Sequence, residues 1–111
     1  MNGFYELKTS ASGQPMFNLR AENNQVILTS QLYASKAAAL KGIASVQTHG
    51  PDPASFEKLA SSQGEPYFVL KASNAQVIGT SQMYSSEHSR DNGIASVMKN
   101  SAAEKIVEAE G

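Results

Sequence analysis

The sequence predicts an α+β domain: two fused β3-α repeats plus a C-terminal strand, forming an antiparallel sheet with two packed helices and internal pseudo-twofold symmetry. Three observations lead there. Residues 13–46 return as residues 64–97 at an offset of 51, with 19 of 34 paired positions identical. Residues 16–21 alternate apolar and polar side chains, the period of a half-buried strand, and their counterparts at 67–72 place Phe68 and Leu70 inward. In each copy a serine, Ser35 or Ser86, stands before a run of helix formers that ends in the same segment, GIASV. Such a serine is a good N-cap, because its hydroxyl takes up a free backbone N–H.

Taken in order, residues 4–8 are rich in aromatic and apolar types and read as a first strand. Residues 9–14, small and polar around Gly13, read as a turn. Phe17, Leu19 and Ala21 then alternate with Asn18 and Arg20 in a second strand. Glu22, Asn23 and Asn24 supply types that tolerate a tight hairpin, and residues 26–32 return as a third strand. A helix over 36–48 is expected to bury Ala38, Gly42, Ser45 and Val46, with Ile43 at the edge of that face. Gly42 in mid-helix costs about 1 kcal/mol relative to alanine. Its recurrence as Gly93 predicts helices lying too close to the sheet for a Cβ. The run Gly50-Pro51-Asp52-Pro53 stops the first helix.

The second copy repeats the plan, with strands at 55–60, 67–72 and 77–83 and a helix at 87–99. Residues 105–110, around Ile106 and Val107, close the chain as a short strand. By the same offset Val107 matches Phe56, which matches Tyr5. The strand at 55–60 is thus expected both to end the first copy and to open the second. That leaves no linker and predicts one domain, 1–111, made of repeats at about 1–51 and 52–111.

At 111 residues and 11.8 kDa, a chain of this size buries roughly two-thirds of its unfolded surface, enough for a core without staples. It has no cysteine, so disulfides and thiolate chemistry are excluded. Nine Lys and Arg against ten Asp and Glu leave a net charge of −1, which does not suggest general phosphate-backbone binding. The N-terminus shows no signal-peptide pattern and no stretch has membrane-helix length, so a cytoplasmic, soluble protein with no membrane contact is expected.

The combined pattern resembles the YegP-like family of small bacterial proteins. Its parts are an aromatic start (Tyr5 in place of Phe, then Phe56), the F-x-L-(K/R)-A strands at Phe17 and Phe68, Tyr33-Ala-Ser and Tyr84-Ser-Ser, and the two GIASV segments. The resemblance covers nearly the whole chain. It implies β3-α-β units sharing an antiparallel sheet, with single-copy members pairing as dimers, and it implies no activity, since the family has no established function. The hairpins depart from the family's Asn-Gly, reading Asn23-Asn24 and Asn74-Ala75; the second lacks the residue types that favour a type I′ turn.

No catalytic constellation, cofactor motif or metal-ligand spacing is present. His49 and His88 match Asn100 and Ala37 across the repeat, so neither belongs to a duplicated site. Ser30 and Ser81 recur without a His or acidic partner and read as hydrogen-bonding residues of the sheet. Tyr33 and Tyr84 end the third strands, each placed to bury its ring and keep its hydroxyl at the rim. They would flank symmetry-related clefts near Gln31 and Gln82. Arg20 and Lys71, with Lys8 and Lys58, would form a modest basic strand face, and Leu40 an exposed contact point on the first helix. The expectation is a non-enzymatic binding module, first for a protein partner and second for nucleic acid through that basic face, with an enzyme of unrecognised site as the third reading. No cofactor is expected, and the internal pseudo-dimer predicts a monomer.

Overall fold

The structure, a computed structural model, describes residues 3–108. Each repeat is a three-stranded antiparallel meander followed by a helix. The first comprises β1 (Phe4–Thr9), β2 (Pro15–Arg20), β3 (Val26–Ser30) and α1 (Lys36–His49). A 3-10 turn at Pro53–Ser55 leads into β4 (Phe56–Ala60), β5 (Pro66–Lys71), β6 (Val77–Thr80) and α2 (Glu87–Asn100). The chain then forms β7 (Ile106–Glu108); expected strand residues 109 and 110 lie outside the described part.

All seven strands join one sheet in the order β4-β5-β6-β3-β2-β1-β7. The two copies meet through the antiparallel β3–β6 pair, where Thr29 faces Thr80 and Ser30 faces Gly79. The sheet is not wholly antiparallel, as the repeat had suggested. β7 crosses from the end of α2 to the far edge and pairs with β1 in parallel, Tyr5 opposite Ile106 and Leu7 opposite Glu108. Followed through β1, β2, β3 and β6, these pairings make β7 antiparallel to β6, the strand that precedes α2, so its parallel partner is β1 alone. Nor does β4 fill two places: it opens the second copy, pairs only with β5, and is the opposite edge of the sheet.

Both helices pack on one face. There each repeat lays down an aromatic row: Tyr5 edge-on to Phe17 at 5.9 Å and Phe17 stacked on Tyr33 at 6.1 Å. The second row is Phe56, Phe68 and Tyr84, at 5.6 and 6.3 Å. Leu19, Leu28, Ile43 and Val46, with Leu70 and Val97, complete the core. The buried face of α1 is Ala39, Gly42, Ile43 and Val46, so the face expected from sequence was turned by about one residue. Ala38 and Ser45 sit at its margin. The Ala37-Ala38-Ala39 run carries no phase of its own. Ile43, fully buried, fixes the rotation and draws in Ala39, one turn before it.

The third strands are shorter than their composition suggests. After Ser30 the chain leaves the ladder: Gln31 N still donates to Ile78 O at 3.3 Å, but Tyr33 N turns back to Pro15 O at 2.8 Å. Ser30 Oγ occupies the break, accepting from Phe17 N at 2.9 Å and donating to Gln31 O at 2.8 Å. Ser81 does the same for Phe68 N and Gln82 O. Both hairpins have one shape, with a single left-handed residue each, Asn24 at φ 71° and Ala75 at φ 69°. A type I′ turn needs two. Asn23 and Asn74 instead fold a turn by accepting from the backbone N–H of Gln25 and Gln76.

Candidate functional site

The glycine expected at the helix–sheet contact meets a tyrosine rather than strand backbone. A Cβ on Gly42 would press on the Tyr33 hydroxyl and lie 2.6 Å from its Cζ; one on Gly93 would stand 2.6 Å from Tyr84 Cζ. Each phenol ring is thus clamped between a helix glycine and the Phe17 or Phe68 ring. Burial raises the pKa of Tyr33 above its ordinary value of 10.0. Burial raises that of Tyr84 too, offset in part by a hydrogen bond with Gln82. At neutral pH both hydroxyls keep their protons and act as donors rather than bases.

Because β3 and β6 are neighbours, the tip of each repeat's hairpin comes against the other repeat's helix. This builds an open cleft of about 420 Å³ in front of Tyr33. One wall is Gln31, Leu32 and Tyr33 with Ala38, Lys41, Gly42 and Ser45 of α1; the other is Ala72, Asn74 and Gln76 with Val77 and Ile78. Among the described residues its lining contains no carboxylate. Across the pseudo-twofold, a concavity of about 330 Å³ shares Ala21, Asn23, Asn92 and Ser96 as counterparts of Ala72, Asn74, Lys41 and Ser45. It extends toward Glu22 and Lys99, which pair at 3.3 Å. Tyr84 and Gln82 occupy the matching strand end without lining that concavity.

A concavity of similar size, about 450 Å³, lies elsewhere, among His49, Asp52, Ser55, Glu57 and Lys71. Only two of its ten lining residues, Glu57 and Ala72, recur at the repeat offset. In the Tyr33 cleft nine of twelve recur. The exceptions are Leu32, Ala38 and Lys41, replaced by Met83, Ser89 and Asn92. The duplicated lining therefore marks the Tyr33 cleft.

The remaining candidates are not brought together. Arg20 lies on the open face of the sheet, ion-paired with Glu6 at 3.0 Å and donating to Asn24 O at 2.7 Å. Burial pushes Glu6 upward, but Arg20, helped by Asn18 and Lys8, outweighs it and holds the carboxyl below its ordinary pKa. Lys71 pairs with Glu57 at 2.6 Å. Lys58 does not share that face: its register partner is Phe68 of the core, and it reaches Asp91 on α2 at 3.2 Å. The face is a set of charge pairs, not a basic surface. Leu40 is 39% exposed, at the margin of the buried face of α1, one turn before Ile43. Sequence reasoning missed Leu32 and Met83, 49% and 44% exposed at equivalent strand ends. Their signal was available, since each is an apolar residue directly preceding a duplicated tyrosine.

Fold and cleft define an open-faced α+β protein made by tandem duplication. The chain matches the family described as a domain of unknown function, DUF1508, twice, over residues 10–57 and 61–108. It belongs to that family. A UPF0339 protein of Mannheimia succiniciproducens is 57% identical over 94% of this chain and 92% of its own. The UPF0339 protein YegP of Yersinia pestis is 55% identical over 88% of each. The solution NMR structure of a protein of unknown function, yegP from E. coli, superposes with a TM-score of 0.94 at 47% identity, covering 100% of this chain and 96% of that one. That of a UPF0339 protein from Shewanella oneidensis gives 0.90 at 52% identity, with 97% and 92% covered. Among the described residues no helix is long and apolar enough to cross a membrane.

Proposed function

We propose that the protein is a non-catalytic interaction module whose Tyr33 cleft, with its pseudo-twofold counterpart, receives an extended segment of a partner protein. One observation carries this reading: nine of the twelve residues lining the cleft are duplicated, including exposed ones that the fold does not need. Asn74 is accounted for by its hairpin and Gly42 by the tyrosine. The recurring exposed side chain of Gln31 is not, and that of Gln76 has only a long bond, accepting from Asn74 Nδ2 at 3.4 Å. They lie beside a protonated phenol and the Ser45 hydroxyl, a set suited to the backbone N–H and C=O groups of an extended peptide. Leu32 and Val77 add an apolar floor for its side chains.

Selection of randomly displayed heptapeptides against the protein, followed by NMR titration of the winners, tests this. Amide shifts should concentrate at Gln31, Tyr33, Ser45 and Gln76, with a second set at Asn23, Asn92 and Ser96. Shifts confined to the open sheet face, or a selection yielding no binder, would refute the reading.

A further inference from the structure

We infer that the Tyr33 cleft prefers an acidic peptide, one that presents an Asp or Glu side chain to Lys41, and that the counterpart cleft lacks this preference. The inference rests on the interaction-module reading and adds the chemistry of its partner.

Among the described residues, six of the other Lys and Arg side chains sit in ion pairs: Arg20, Lys36, Lys58, Lys71, Arg90 and Lys99. Lys105 lies over the Phe4 ring, 5.6 Å from its centroid. Lys8 is near enough to Glu6 to act on its charge. Lys41 alone meets neither a carboxylate nor a ring, and it stands exposed in the cleft wall. No Asp or Glu lines that cleft, and its hydroxyls and amides can all donate. A carboxylate entering there gains a cation and donors and meets no like charge.

The other cleft is built differently in this one respect. Asn92 takes the place of Lys41, and Glu22 stands on the lining. An acidic guest meets a carboxylate there and finds no unpaired cation. Duplication has thus produced two similar clefts and divergence has given them different charge, as in specificity set by repulsion as well as attraction.

The test compares peptides selected against the wild-type protein and against Lys41→Asn. The substitution installs the residue α2 already carries at the equivalent position, so the helix tolerates it. Peptides that map to the Tyr33 cleft of the wild type should be enriched in Asp and Glu. They should bind about fivefold more weakly to Lys41→Asn, the upper end for an exposed ion pair. Replacing their acidic residue by Gln or Asn should cost the same factor in the wild type and nothing in the variant. Cleft binders without acidic enrichment, or equal affinity for both proteins, would overturn this inference and leave the interaction module standing. No cleft binder at all would sink the module itself. Acetate or inorganic phosphate saturating the same amides unaided would reassign the cleft to small anions and overturn the peptide.

Discussion

At Gly42 α1 forgoes about 1 kcal/mol of helix propensity relative to alanine, and the Tyr33 phenol fills the space a Cβ would need. The ring cannot simply swing away, because it is stacked on Phe17 at 6.1 Å. Gly42→Ala should therefore destabilise the fold by about 1–3 kcal/mol, the usual cost of overpacking. In a Tyr33→Ala background the same change should cost much less, since the propensity gain is then opposed only by the Phe17 ring, 3.0 Å from the added Cβ. Urea denaturation of the four proteins of this cycle gives the coupling; additivity would show that the glycine answers to something other than the tyrosine. The need for a glycine was legible in its duplication. Its partner was not, because a strand-end tyrosine gives no sign in sequence of which helix residue it will cover. The same limit applies to the rotation of α1, where three successive alanines left the choice between Ala38 and Ala39 to the packing of Ile43.

At the scale of elements, the boundary between legible and hidden follows the range of the contacts. Strands β1, β2 and β5, both Ser-capped helices and both hairpins rest on local chemistry, and the sequence shows them. The early ends of β3 and β6 rest on Ser30 and Ser81 bonding to backbone N–H groups thirteen residues away, and composition says nothing of that. Strand order is hidden for the same reason, and with it the cleft, whose two walls come from different repeats. β7 is the longest-range case. Its pairing with β1 includes the Tyr5 N to Lys105 O bond at 2.9 Å, and Glu108 pairs with Lys36 at the start of α1. Yet Ile106 and Val107 stay 40% and 38% exposed. Ending the chain after Ala103 should thus cost about 1–3 kcal/mol through lost ladder bonds, not a core's worth of burial. The urea midpoint should fall with the slope nearly unchanged. An unaltered midpoint would remove β7 from the stabilising structure.

For the whole molecule, duplication solves one edge and creates another. The strand that follows α2 crosses over and covers β1, but the strand that follows α1 is β4 itself, so among the described residues no strand covers β4. Exposed edges invite pairing with other chains unless they are blunted, and a charged residue facing inward is one means. At the position equivalent to Leu7, which is 5% exposed beneath β7, the edge strand carries Lys58, held by Asp91 at 3.2 Å. Ala39 and Leu40 are likewise replaced by Arg90 and Asp91 in α2. The core layer that would reward an added strand has become an ion-pair network. We predict that the wild-type protein sediments as a monomer and that Lys58→Leu associates with rising concentration through β4. A mixed variant, Lys58→Leu with Glu57→Pro, should return to monomer, because proline at the edge interrupts strand addition and would not disperse a contact made elsewhere. Self-association of the wild type would show that the β4 edge, or another surface, is already used for pairing. Monomeric Lys58→Leu would show that the edge is protected by something other than its inward charge.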